Sequence, residues 1–254
     1  MIYRFDHIGI TVPSLSEAAQ RLESLHPCFH AQHGVEVREA LREVSLHKPE
    51  RLSISLHRRR DSLDIELIEY PLVSPKAGSI LPWCYSPGER PDHLDSLKGA
   101  VRAQVDRSRD GYSFADIASL LATSVVFNAV VIPVETLSAE ARFWEALRFT
   151  AIHSDDELAI LRLESLLPPA QSHYVLLFRA GYAGRYHTDL EGINEIALLC
   201  DSCRPSLRAF PQSAFRSTVD TLLVNDRQID LGYLRSPSGV LVELFSVRLA
   251  GPRR

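Results

Sequence analysis

Three stretches of the chain share one pattern of apolar and polar positions, in which a short strand leads through a turn into an amphipathic helix. The first stretch begins at Tyr3 and carries His7 among apolar neighbours. Residues 129–138 align with residues 7–16 without a gap, and residues 193–210 repeat the plan more loosely. Repetition on the scale of a supersecondary unit indicates an architecture assembled from similar modules.

The first segment predicts a helix followed by three strands. Apolar residues recur at helical spacing between residues 15 and 25. Ser14 and Glu17 have the spacing of a capping box at the start of this helix, and Pro27 ends it. The strands that follow are predicted at residues 35–41, 52–57 and 63–70.

The second and third segments give a similar order of elements. In the second, a strand at 125–134 and a helix at 137–147 precede strands at 158–163 and 174–178. In the third, a strand at 193–200 and a weak helix at 205–210 precede strands at 219–224, 228–234 and 240–247. The sequence Pro237-Ser-Gly239 predicts a turn that joins the last two strands as a hairpin.

Residues 73–123 do not repeat the plan. Prolines open this stretch as a loop, and helical patterns follow at 93–105 and 114–121. We interpret it as a helical connection or as a badly decayed fourth repeat.

The segments give an α+β fold with three predicted regions. Residues 1–72 form a first βαβββ module, residues 73–123 the helical connection or decayed module, and residues 124–254 two modules paired as a half-barrel domain. Only residues 182–192 join the second and third segments, and consecutive units usually pack together, so we expect these two segments to pair.

Composition narrows the class of protein. The chain has 254 residues, 45% hydrophobic and 24% charged, with a formal net charge of −4, so no nucleic-acid partner is expected. It has no apolar run of about eighteen residues and no signal-like N-terminus, so no membrane partner is expected. Four cysteines are too few for a disulfide scaffold and favour the reducing cytoplasm, and the pair Cys200 and Cys203 is interpreted as structural.

Two motifs resemble the vicinal oxygen chelate superfamily, which includes glyoxalase I, methylmalonyl-CoA epimerase, extradiol dioxygenases and the fosfomycin and bleomycin resistance proteins. Phe5-Asp-His-Ile-Gly-Ile is similar to the opening strand of an epimerase-type module, and Ile65-Glu-Leu-Ile-Glu-Tyr-Pro to its closing strand. The third segment closes similarly, with Ser236-Pro-Ser-Gly-Val-Leu-Val-Glu-Leu-Phe. The resemblance covers most of the chain outside 73–123 and implies repeated βαβββ modules that form half-open mixed β-barrels, with a helical insertion.

The resemblance also implies a divalent metal, held by a first-strand residue and a last-strand Glu of each module. The candidate ligands in segments one and three are His7, Glu66, Glu195 and Glu243. In segment two Ala129 and, approximately, Leu176 hold these positions, and neither can bind a metal. Imidazole and carboxylate donors suit Mn, Fe, Zn, Co or Ni.

The way the modules pair decides how many ligands meet. If segments two and three pair, their barrel offers only Glu195 and Glu243. If segments one and three pair, all four candidates converge. Segment one could also pair with its copy in a second subunit, as a homodimer, and the sequence does not choose among these arrangements.

Each candidate ligand also has an ordinary structural explanation. His7 could be a hydrogen-bonded core histidine, and the three glutamates could be solvated if their strand faces lie outside the barrel.

Two classes of function follow. The first is a metal-dependent enzyme of the vicinal oxygen chelate type, acting on a small oxygen-rich organic acid or thioester by isomerase, lyase or dioxygenase chemistry. Glu66 and Glu243 are its candidate catalytic residues, since a carboxylate beside the metal can act as general base. The second is a non-catalytic small-molecule-binding or resistance protein of the same fold with degenerate metal sites. Scattered glycines predict no nucleotide cofactor.

Overall fold

Two β-sheets carry the fold, one of eight strands and one of five. The computed structural model describes residues 1–59, 62–74, 80–85, 94–107, 113–122, 126–168, 170–180, 186–210, 215–224 and 227–249. None of the helices within these ranges is long and apolar enough to cross a bilayer.

The elements follow the three segments and the stretch between them. The first segment contains β1 (Ile2–Thr11), α1 (Leu15–Leu22), β2 (Cys28–Glu36), α2 (Glu39–Val44), β3 (Arg51–His57) and β4 (Asp64–Glu69). The middle of the chain contains β5 (Leu81–Tyr85), α3 (Leu94–Arg107), α4 (Phe114–Ala122), β6 (Val126–Val134), α5 (Leu137–Ala146), β7 (Thr150–Ser154), β8 (Leu158–Glu164) and β9 (Ser172–Arg179). The last segment contains β10 (Gly192–Cys200), α6 (Cys203–Arg208), β11 (Asp220–Val224), β12 (Arg227–Arg235) and β13 (Leu241–Leu249).

The eight-stranded sheet is built from the two ends of the chain. Its strand order is β11-β12-β13-β10-β1-β4-β3-β2, and it curls strongly into a half-barrel. In each half the first strand of the module runs parallel to the last, β1 beside β4 and β10 beside β13. The two halves meet where β1 and β10 pair antiparallel. The α+β class with repeated βαβββ modules and a helical insertion is therefore confirmed.

The pairing predicted for segments two and three, as a half-barrel within 124–254, is wrong. Segment three pairs with segment one, while β6 of segment two has β9 on one side and β5 on the other. Both edges of β6 are thus occupied, and β10 finds its partner in β1. The prediction failed because the short link before β10 does not prevent that strand from reaching the first sheet. The division of the chain into separately folding domains stays a prediction.

The five-stranded sheet has the order β5-β6-β9-β8-β7. Its strand β5, at residues predicted to be loop, pairs antiparallel with β6 in the way that β10 pairs with β1. Residues 73–123 therefore supply the strand that stands where the first strand of a fourth module would stand. Helices α3 and α4 follow β5, as the pattern predicted.

The start of α1 explains why the segment turns from strand to helix at this point. The Ser14 side chain accepts from the backbone N–H of Glu17, which confirms one half of the predicted capping box. The amide of Leu15 is instead satisfied by Glu69 Oε2 on β4, at 2.5 Å. This bond fixes α1 to the module's own last strand.

Two elements differ from the sequence prediction because of tertiary contacts. The strand predicted at 35–41 stops at Glu36, and helix α2 begins at Glu39. The Ala40 amide of α2 donates to Asp220, and Glu43 accepts from the amide of Thr218. Helix α2 therefore leaves its own module and packs across the other half of the sheet.

One hydrophobic core joins the two sheets. Backbone bonds from Leu63 to Phe127 and from Leu166 to Tyr3 cross between them, at 2.7 and 2.8 Å. The core fixes the positions of the central strands, on which the candidate ligands lie.

Candidate functional site

The candidate ligands lie in two neighbouring rows across the centre of the eight-stranded sheet. They occupy β1, β4, β10 and β13: His7, Glu66, Glu195 and Glu243. In one row Glu66 and Glu195 flank Gly9 of β1, and in the other His7 and Glu243 flank Ala197 of β10. The two halves of the sheet thus present their donors with two-fold pseudo-symmetry, each pair across a small residue.

Gly9 is small because Glu195 lies across it. A Cβ atom at position 9 would stand 2.4 Å from Cγ and Oε1 of Glu195. That approach is far closer than any normal contact, so a larger residue there would exclude the present position of the carboxylate. The Gly of the opening motif is therefore part of the site.

The His7 ring is oriented by the residue before it. Its Nδ1 atom lies 3.0 Å from Asp6 Oδ2, which directs Nε2 toward Glu66. The distance from Nε2 to Glu66 Oε2 is 3.4 Å, and Nε2 has no well-formed hydrogen bond in the described part of the chain. The Arg4 guanidinium donates a hydrogen bond to Asp6, which fixes the carboxylate that orients the His7 ring.

Glu243 has a partner from the neighbouring strand. Tyr233 lies opposite it in the β12–β13 hairpin, and the phenol donates to Glu243 Oε2 at 3.1 Å. The Oε2 atom of Glu195, by contrast, is buried and has no hydrogen-bond partner among the described residues. A buried donor or acceptor without a partner is uncommon in proteins and points to a missing ligand.

Burial and mutual repulsion shift the titration of these groups. Burial, together with the charges of Glu243 and Glu66, holds the pKa of Glu195 well above its ordinary value. Burial raises the pKa of Glu243 to about 7, with His7 opposing the rise and Glu66 adding to it. Burial alone would lower the pKa of His7, but hydrogen bonds and negative charges from Asp6 and Glu66 hold it well above the usual range.

The four candidates line one cavity on the curled face of the sheet. The cavity has a volume of about 350 Å³, within the range of small-molecule sites. Strands β2 and β3 form one wall and β11 and β12 the other, and Leu41 of α2 also lines it. The sequence predicted that all four residues would meet if segments one and three paired, and the structure realises that arrangement.

The donor set fits a divalent metal in its chemistry. One imidazole and three carboxylates form a nitrogen and oxygen set suited to Mn, Fe, Zn, Co or Ni. Among the buried side-chain atoms of the described residues that lack a hydrogen-bond partner, His7 Nε2 and Glu195 Oε2 belong to this set. No three His, Cys, Asp or Glu side chains of the described ranges stand in an arrangement that holds an ion.

The second sheet does not repeat the site. Val131 and Leu176 form the register pair that corresponds to Gly9 and Glu66, which confirms Leu176 as the equivalent of Glu66. Ala129 and Leu176 are both buried in the hydrophobic core. Candidate ligands therefore come from the first sheet alone.

Cys200 and Cys203 lie apart from this chemistry. Their thiols are buried and donate to the carbonyl oxygens of Phe245 and Leu244. Burial raises the pKa of Cys203 to about 12, so it is not a reactive thiolate. The structural interpretation of this pair fits its surroundings.

The sequence prediction missed Asp6 and Tyr233. Asp6 stood in the quoted opening motif, directly before His7. Tyr233 could have been found by counting outward from the predicted turn at 237–239, because the hairpin register places it opposite Glu243. Both residues act on candidate ligands.

Solved structures of glyoxalase I are among those similar to this chain. Glyoxalase I from Zea mays matches with a TM-score of 0.51 and 12% identity, over 96% of this chain and 92% of that chain. A single-substitution variant of the same protein matches with a TM-score of 0.53 and 13% identity, over the same shares of the two chains. No protein-family model and no curated protein sequence matches the chain. The chain therefore has the fold of glyoxalase I, and its resemblance to the vicinal oxygen chelate superfamily is confirmed at the level of the fold.

Proposed function

We propose that the protein is a metal-dependent enzyme of the vicinal oxygen chelate type that acts on a small oxygen-bearing molecule by proton transfer, as an isomerase or lyase. The observation that carries the proposal is the convergence of one imidazole and three carboxylates on one buried floor: His7, Glu66, Glu195 and Glu243. Charges gathered in a buried site are costly unless they are paired or bind a metal. Here His7 Nε2 and Glu195 Oε2 have no well-formed hydrogen bond within the described chain.

His7 and the three glutamates would hold the metal. Asp6 fixes the ring so that Nε2 is the donor, and Tyr233 fixes one oxygen of Glu243. A bound divalent ion would supply Lewis-acid polarisation of a substrate oxygen. The side chains of the cavity floor would carry out the proton transfer.

Glu243 is the carboxylate best suited to exchange a proton with the substrate. In the metal-free protein burial raises the pKa of Glu243 to about 7, so its carboxylate can hold or release a proton near neutral pH. Glu66 is the second candidate, since it lies on the equivalent strand of the other half.

Metal content tests this proposal directly. Protein purified in the presence of Mn²⁺, Zn²⁺ or Ni²⁺ should retain near-stoichiometric ion, measured by elemental analysis and by calorimetric titration. His7→Ala and Glu66→Gln should each weaken binding at least about tenfold while the circular dichroism spectrum is unchanged.

Matched controls lie on the second sheet. His153→Ala removes a half-buried histidine that pairs with Asp155, and Glu164→Gln an exposed glutamate that pairs with Arg162. Neither should change metal binding. Wild-type protein that takes up none of the three ions, or site variants that bind as well as the controls, would refute the metal-dependent enzyme and leave a non-catalytic binding protein.

A further inference from the structure

The cavity divides into a charged floor and apolar walls. On the neighbouring strand β3, Leu56 is the register partner of Glu66, and Ile54 lies two residues before it. Both side chains line the cavity. On the neighbouring strand β12, Leu231 lies two residues before Tyr233, the register partner of Glu243, and also lines the cavity. Ile54, Leu56 and Leu231 are only half-buried, because the cavity rather than protein lies against them. A ligand whose polar end meets the floor would therefore lay its body against leucine and isoleucine.

The charges around the cavity are unfavourable for an anion. Among the described residues seven carboxylates line it, against two arginines and the two histidines His7 and His30. Arg58 is held by Asp64 through two nitrogens, at 2.7 to 3.1 Å, and Arg38 lies 3.5 Å from Glu36. Both guanidinium groups are more than half exposed. Both arginines line the cavity, but each is already paired with a carboxylate.

We propose that the substrate is a compact, uncharged molecule that carries its reacting oxygens at one end of an apolar body. This inference rests on the proposed function and narrows it, because it excludes the organic acids and large thioester carriers that the sequence left open. The volume of about 350 Å³ lies near the lower limit for ligand sites and suits a body of one ring or a short branched chain. Burying an unpaired anion between apolar walls and carboxylates is strongly disfavoured.

Two probes with the same oxygen-bearing head and different bodies test the inference. Benzohydroxamate has an unsubstituted ring, and 4-carboxybenzohydroxamate adds one carboxylate at the far end. We expect Mn²⁺-loaded protein to bind benzohydroxamate at least about tenfold more tightly, by calorimetric titration. Equal or tighter binding of the carboxylated probe, or no binding of either, would overturn the inference.

Variants of the wall link this preference to the structure. Leu231→Lys places a cation beside the body of the probe, so it should reduce the preference at least about tenfold or reverse it. Ile54→Lys on the opposite wall should act in the same direction, which gives a second variant should the first fail to fold. Leu223→Lys is the matched control, because Leu223 is 56% exposed and does not line the cavity. A control that changes the preference as much as the wall variants would also overturn the inference.

The same titrations separate this inference from the proposed function. If metal-free protein binds both probes as tightly as loaded protein and with the same preference, the metal-dependent enzyme fails and the uncharged, apolar ligand class stands. If the loaded protein binds the head group but prefers the carboxylated body, the metal site stands and the inference about the substrate fails.

Discussion

Gly9→Ala tests whether the space at Gly9 is what keeps Glu195 in the site. The new Cβ would stand 2.4 Å from Cγ and Oε1 and 2.7 Å from Cδ of Glu195. Glu195 must then rotate, or the strands must separate. Overpacking of this kind costs about 1–3 kcal/mol. Replacing glycine also restricts the unfolded chain, which returns about 0.4–1 kcal/mol, so we expect a net loss of roughly 1–2 kcal/mol in the free energy of unfolding.

A double-mutant cycle isolates the cause. In a Glu195→Ala background the clashing atoms are gone, so Gly9→Ala should stabilise the protein by about 0.4–1 kcal/mol. The coupling energy between the two positions is then about 1–3 kcal/mol, measured by urea denaturation of the four proteins. Gly99→Ala is the control, since a Cβ on this residue of α3 meets no atom within 4 Å. It should stabilise both backgrounds equally, by about 0.5–1 kcal/mol.

If the effects of Gly9→Ala and Glu195→Ala on the free energy of unfolding are additive within about 0.5 kcal/mol, the space at Gly9 does not keep Glu195 in the site. Metal binding gives an independent readout of the same geometry. Gly9→Ala should weaken Mn²⁺ binding about ten- to a hundredfold in the wild-type background and have no further effect after Glu195→Ala.

Three further predictions follow from the described contacts. Tyr233→Phe removes the hydrogen bond to Glu243 and should weaken Mn²⁺ binding by about tenfold with little change in stability, and unchanged affinity would contradict the positioning role. Mn²⁺ at a hundred times the wild-type dissociation constant should raise the free energy of unfolding by about 2.7 kcal/mol in wild-type protein and by no more than about 1.4 kcal/mol in His7→Ala, as a thermal or urea series measures. Burial, and then the charges of Arg59 and His57, lower the pKa of His26 to about 4. Since His26 is neutral when folded, its stabilising contribution is present above about pH 6.5 and is lost as the pH falls toward 4, by up to roughly 3 kcal/mol. His26→Leu should flatten urea stability over that range, and an unchanged pH dependence would count against this origin.

The sequence was sufficient for the modules because their signals are local. The alternation of β1, the helical spacing of α1 and the turn between β12 and β13 depend on residues close in the chain. The same recurrence aligned His7 with Glu195 and Glu66 with Glu243, and the register pairs place them at equivalent positions. The four candidate ligands therefore follow from the recurrence alone, and their role as ligands stays a prediction.

Which modules pair with each other could not be predicted from local sequence signals. The partner of β10 is decided by which strand edge is free after the whole chain has folded, and β5 had already occupied the edge of β6. The strand at Leu81–Tyr85 was missed because Pro82 lies within it, and proline is unfavourable in the interior of a sheet. Pro82 is tolerated because β5 is an edge strand. Helix α2 was missed because its contacts lie in the other half of the sheet.

The position of β1 between β4 and β10 has a consequence for biosynthesis. Among the strands of this sheet β1 is synthesised first and becomes a central strand, yet its partner β10 is synthesised only after β2–β9. Until then β1 presents a free, largely apolar edge, and such edges invite association with other chains. Antiparallel pairing between the two ends of a chain also raises contact order and slows folding. The edge of β1 must therefore be protected until β10 has been synthesised, and the candidate metal ligands come together only when β13 completes the sheet.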